Sequence, residues 1–156
     1  MLYSKLVVII LNFLDYFQQK KIISFFKKNL RNEIILFDIG SHYGETVRLF
    51  FNNLKIKEFH CFEASPLNYK ILLKNIKKFN FQIYYELNNL GVGSSNEDTF
   101  INQTEESSSS TINNLNLNSK YLKKKLKILN IKKINKFYKK IPIKLITLDK
   151  YIQKIF

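Results

Sequence analysis

Short apolar runs alternate with amphipathic stretches along most of this chain. Glu33–Gly40 holds a continuous apolar run, Ile34-Ile35-Leu36-Phe37, that closes on Asp38 and Gly40. A run without polar alternation suits a strand buried on both faces, as in a parallel sheet. Ser41–Glu45 then reads as a turn, and Thr46–Leu54 as a helix with Val47, Phe50, Phe51 and Leu54 on one face. A second apolar strand, Glu58–Glu63, again ends in a carboxylate. Ser65 is placed to cap the next helix and Pro66 to occupy its first position. That helix is expected to run to about Phe79, with Tyr69, Leu72, Ile76 and Phe79 as the buried stripe and Lys70, Lys74, Lys77 and Lys78 on the wet face. Phe81–Leu87 reads as a third strand and Glu97–Ile101 as a further short one. Glu105–Thr111 is a polar loop, and Tyr121–Lys140 alternates lysines with apolar residues in the manner of a helix, or of two broken near Asn130. Strand, helix, strand, helix, strand is the opening of a nucleotide-binding α/β fold.

Residues 1–32 form a separate helical segment in this reading. Leu2, Leu6, Ile9, Ile10, Phe13 and Phe17 recur at helical spacing, which predicts an amphipathic helix packed on the domain. The apolar stretch Leu6–Leu14 contains Asn12 and falls short of the ~20 residues that a membrane span requires. No small-residue cleavage site follows it, so a cytoplasmic location is expected. Lys20, Lys21, Lys27 and Lys28 leave a weak membrane-surface contact as an alternative.

The two bends carry the candidate chemistry. The chain has four glycines, in two places, 40/44 and 91/93. A G-x-G-x-x-G fingerprint laid from Gly40 would require glycine at positions that hold His42 and Glu45. Glu45 also puts negative charge where a pyrophosphate would meet the helix N-terminus. A nucleoside without phosphate tolerates such a loop, and S-adenosylmethionine, whose sulfonium and ammonium are cations, suits the nearby Asp38. Glu63 lies 25 residues beyond Asp38. A carboxylate there is placed to accept hydrogen bonds from ribose hydroxyls. The end of a third strand lies beside the base in this fold, which makes Asn89 or its neighbours candidates to face adenine.

The chain has 156 residues and a formal net charge of +14, one cysteine and two histidines. Cys61 alone rules out a disulfide framework and a thiolate zinc site, and His42 and His60 leave little for a histidine-rich metal centre. The charge is uneven: residues 118–156 carry 13 lysines against the single acid Asp149. One class of function this allows is a basic interaction protein that binds RNA or an anionic membrane surface without catalysis. Two arginines are few for base readout, and the abundance of lysine, asparagine and isoleucine is what AT-rich coding produces, so nucleic acid is the less favoured partner.

Taken in order, the motifs resemble a known family. Phe37-Asp38-Ile39-Gly40-Ser41-His42-Tyr43-Gly44-Glu45 resembles the D-x-G-A-x-x-G-E loop of FkbM-type methyltransferases. Phe62-Glu63-Ala64-Ser65-Pro66 is similar to their F-E-P-x-P turn, with Ala64 in place of proline. Leu90-Gly91-Val92-Gly93 resembles their A-V-G segment, Ser109-Ser110 the serine pair of their long insertion, and Ile143–Asp149 the V-x-T-L-D strand that closes it. The likeness spans about residues 33–151. It implies a Rossmann-like class I methyltransferase fold that uses S-adenosyl-L-methionine, with methyl transfer to a sugar or natural-product hydroxyl. By position it assigns cofactor binding to Asp38, Gly40, Ser41, His42, Gly44, Glu63 and Asn89. His42 stands where the family has a small or amide residue. No general base is assigned, and no metal.

In the family a strand carrying K-x-D-x-E-G follows T-L-D, whereas this sequence reaches Phe156 before it. The expectation is therefore an incomplete methyltransferase domain over 33–156, stopping after the third strand and its lysine-rich insertion at about 102–140. The exposed edge of the first strand would then call for a complementary chain or a homodimer.

Overall fold

The computed structural model describes residues 17–104, 110–128 and 138–155. Residues 17–29 are helical (α1) and lead into β1, Ile34–Ile39. Helix α2, Glu45–Phe51, β2, Ile56–Phe62, α3, Pro66–Phe79, and β3, Tyr84–Asn88, follow. The three strands form one parallel sheet in the order β1-β2-β3, with Phe37 beside His60 and Asp38 beside Cys61 in register. Parallel neighbours need a crossover between them, and α2 and α3 supply it.

Both helices cover the same face of this sheet. Val47 of α2 and Leu72 and Ile76 of α3 pack on Phe59 and Cys61 of β2, with Ile34 and Leu36 of β1 around them. Burying these side chains is the main stabilisation of the domain, at ~25 cal/mol per Å² of apolar surface. Ser65 caps α3 through its side chain, Pro66 opens it, and Asn80 closes it in the left-handed conformation, φ 49°. That turn delays the third strand. Phe81 and Ile83, expected within it, instead pack on the core from the loop, and pairing starts at Tyr84.

The second sheet was not foreseen. It has the order β4-β6-β5, from Gly91–Val92 (β4), Glu97–Thr104 (β5) and Tyr138–Ile146 (β6). β5 pairs antiparallel with β6 along its whole length, which extends β5 three residues beyond the expected Ile101. The lysine-rich stretch divides. Lys120–Ile128 is a helix, α4, while Tyr138–Lys140 belongs to β6; residues 129–137, with Asn130, lie outside the described residues. Ile141, Ile143 and Leu145 alternate toward the core of this sheet, a period of two that the neighbouring lysines mask. Pro142 is tolerated within β6 because β4 reaches only Leu145 and Ile146 on that side.

The expected strand over Ile143–Asp149 is corrected at its end. Leu148–Ile155 is a helix, α5, and Thr147 stands at its start: its hydroxyl accepts from Lys150 N at 3.3 Å and its carbonyl from Tyr151 N at 3.1 Å. Threonine followed by an acid in the first turn is a helix-start pattern. α5 lies on the face of the first sheet away from α2 and α3, where Tyr151 meets the rings of Phe37, His60 and Phe62. Among the described residues β1 pairs with β2 alone, and Ile35 and Ile39 are exposed. No helix among the described residues is long and apolar enough to cross a membrane.

Candidate functional site

The chain leaves β1 through Gly40 and enters α2 through Gly44, with φ of +84° and +90°. Both values lie in the left-handed region that glycine occupies without steric cost. A Cβ at Gly40 would meet nothing within 4 Å, so this backbone faces open space. One at Gly44 would press on Leu72 Cδ1 and Ile76 Cδ1, at 3.1 and 3.2 Å, so that glycine lets α3 close over the start of α2.

The bend after Phe62 is hydrogen-bonded directly to this loop. Gly40 N and Ser41 N both donate to the Phe62 carbonyl, at 2.9 and 3.0 Å. His42 N donates to Glu63 Oε2 at 2.8 Å, and Ser65 N to Glu63 Oε1 at 2.9 Å. Glu63 therefore clamps the two bends together. Each carboxylate oxygen has two lone-pair sites, so Oε2 retains capacity for a further donor.

Gly40, His42 and Glu63 line one cavity of about 360 Å³. Its size falls in the range of small-ligand sites. Leu90, Gly91 and Val92 form another wall, and Ser110, Thr111 and Ile112, beyond the end of β5, a third. Asn68, in the first turn of α3, also lines it; its amide is buried beside Glu63 Oε1, at 3.5 Å. Asn68 did not stand out in the sequence, although an asparagine three positions after a capping serine was the available signal; Ser110 was noted as one of a serine pair whose other member, Ser109, lies outside the described residues.

The remaining sequence candidates are distributed differently. Asp38 and Ser41 are buried beneath the loop, and the Ser41 hydroxyl donates to the Asp38 carbonyl at 2.7 Å. Asp38 Oδ2 has no hydrogen-bond partner among the described residues. Burial raises the Asp38 pKa, the Ser41 hydroxyl offsets part of that, and Glu45 and Glu63 add to it. Cys61, its neighbour across the sheet, has its thiol pushed up to about 12, chiefly by burial. Gly44 lies under α3. Asn89 does not line the cavity: its amide donates to the Glu63 and Ala64 carbonyls, at 2.8 and 3.2 Å, and it borders a separate recess beside Pro66. It fastens the bend, and of the residues expected to face the base its neighbour Leu90 is the one on the cavity wall.

At the α2 end, Glu45 Oε2 accepts from Tyr43 N at 3.1 Å and Glu45 Oε1 lies 3.4 Å from His42 Nδ1. A carboxylate thus already stands at the start of α2, bonded to the backbone N–H that precedes its N-cap, Gly44. His60 is buried in the sheet with both ring nitrogens engaged, by Tyr151 Oη at 2.8 Å and Glu58 Oε1 at 2.9 Å. Among the described residues no three His, Cys, Asp or Glu side chains gather as a metal site.

Comparison with protein-family models, with curated proteins and with solved structures returned no match.

Proposed function

We propose that this chain forms the nucleoside-gripping part of an S-adenosyl-L-methionine-dependent methyltransferase of the FkbM type, with a Rossmann-like arrangement around the first sheet, acting on a hydroxyl of a sugar or natural product. The observation that carries the reading is the clamp between the two bends: the Glu63 carboxylate sits on a cavity wall, held by His42 N and Ser65 N, beside an unobstructed Gly40.

The residues fit such a cofactor in three respects. Glu63 keeps an acceptor site that a ribose hydroxyl can use, and its two backbone bonds hold the carboxylate in place before a ligand arrives. Gly40 lets a ligand approach the backbone without meeting a side chain. Glu45 opposes a phosphate at the start of α2, which favours a nucleoside whose charge is carried by cations.

The bound cofactor would supply an already activated methyl group. The contribution of this chain is then orientation: Glu63 anchors the sugar, and Gly40 and His42 bound the space beside it. Holding a reactant in one pose removes the entropic part of the barrier, which is where much of the catalysis of such a displacement lies.

Titration calorimetry with S-adenosylhomocysteine tests the proposal. The intact chain is expected to bind it saturably and not to bind NAD. Glu63→Gln is expected to weaken binding by about 1–3 kcal/mol, the worth of hydrogen bonds to a charged acceptor, with circular dichroism verifying the fold. No saturable binding, or equal binding by Glu63→Gln, overturns the reading.

A further inference from the structure

Helix α1, residues 17–29, has two faces of different character. Its inner face sits on α2: Ile23 is buried, the Phe26 ring lies 5.2 Å from that of Phe50, and Lys27 Nζ donates to Asn53 Oδ1 at 3.1 Å. Its outer face is apolar and basic together. Phe25 is 63% exposed and Ile22 45%. At 3.6 residues per turn, Lys28, Lys21 and Phe25 fall within an arc of roughly 60°, with Ile22 about 60° further round. Phe17 belongs to the same side and is half exposed. No acidic residue occurs between positions 17 and 32, which hold Lys20, Lys21, Lys27, Lys28 and Arg31.

We propose that this outer face docks on an anionic lipid surface. The interleaving of charge and apolar surface selects the occupant. A protein partner that buried Phe25 and Ile22 would have to desolvate Lys21 and Lys28 as well. A second copy would bring one basic face against another. At a lipid headgroup layer the same arrangement is favourable throughout: the aromatic and aliphatic side chains enter the acyl boundary, and the lysines extend along it to the phosphates. The inner-face contacts with α2 are left intact, so docking needs no rearrangement of the domain.

Flotation of the full chain with vesicles tests this directly. Vesicles of phosphatidylcholine with about one third phosphatidylserine are expected to carry the chain, and pure phosphatidylcholine vesicles are not. Binding to the anionic vesicles should fall steeply as ionic strength rises to about 0.5 M. Lys21→Gln with Lys28→Gln is expected to cost about 30-fold in partitioning, from the worth of a lysine at a charged surface. Phe25→Ser should cost at least about 10-fold, from the lost burial of its ring. Both variants alter exposed side chains, and unchanged thermal unfolding verifies the fold. The proposal is overturned by equal binding to both vesicle types or by an unaffected Phe25→Ser chain. It is also overturned if Lys123→Gln with Lys124→Gln in α4 abolishes binding while the α1 pair does not, or if the chain binds RNA and no vesicle.

Discussion

Asp38, next to last in β1, has 8% of its surface exposed and one carboxylate oxygen without a partner among the described residues. Burial holds its pKa above the ordinary carboxylate value, so on acidification the folded chain takes up this proton before the unfolded chain does. Stability then falls as pH rises through the ordinary carboxylate range, because the unfolded state ionises first. Asp38→Asn is therefore expected to be more stable than the parent chain at neutral pH. The gain should vanish once the pH drops below that range, where Asp38 is neutral in both states. Urea unfolding at several pH values checks it, and a gain that stays constant with pH would assign the effect to something other than ionisation. The positions of Asp38 and Glu63 were legible as acids that close apolar runs. Where their side chains went depended on strand phase: Leu36 and Asp38 take the helix-covered side with Cys61, while Phe37 turns to His60 on the other.

Among the elements, α5 is joined to the first sheet by a polar contact within an aromatic one. Tyr151 Oη meets His60 Nδ1 at 2.8 Å and accepts from Asn88 Nδ2 at 3.2 Å. With the ring proton on Nε2, His60 donates to Glu58 and accepts from Tyr151, so each group is satisfied. Tyr151→Phe keeps the ring contacts and leaves Nδ1 and the Asn88 amide without this partner. It is expected to lower stability by about 1–3 kcal/mol in urea unfolding, the cost of unsatisfied buried groups; an unchanged midpoint would show that the hydroxyl holds nothing. The reading of His60 as a packed, satisfied histidine came from its place within an apolar strand. Its partner did not, since Tyr151 lies 91 residues away. The same distance problem explains β6. Ile141, Ile143 and Leu145 alternate, but the lysines around them also fit a helical face, and pairing with β5 decided between the two.

Across the molecule, the two sheets meet at the bend that carries Glu63. The Ser65 hydroxyl donates to Gln103 Oε1 at the end of β5, and Gln103 Nε2 reaches Asn68 Oδ1 at 3.5 Å, all three side chains being buried. Gln103→Leu is expected to destabilise the chain by about 1–3 kcal/mol in urea unfolding by stranding Ser65 and the Asn68 amide. Gln103→Glu, which keeps an acceptor for Ser65, should be milder under acidic conditions, where it is neutral; equal loss in both variants at every pH would refute the role of that hydrogen bond. The order of strands and helices through β3, the capped start of α3 and the glycine loop were determined by the sequence alone. Apolar periodicity, capping serine and positive-φ glycine act between near neighbours, so they are written locally. The second sheet, the turning of Asn89 onto backbone carbonyls and the pairing of Ser65 with Gln103 were decided by the tertiary structure. Each depends on which distant segment arrives to satisfy a buried polar group, and that choice follows from the cost of leaving the group unpaired.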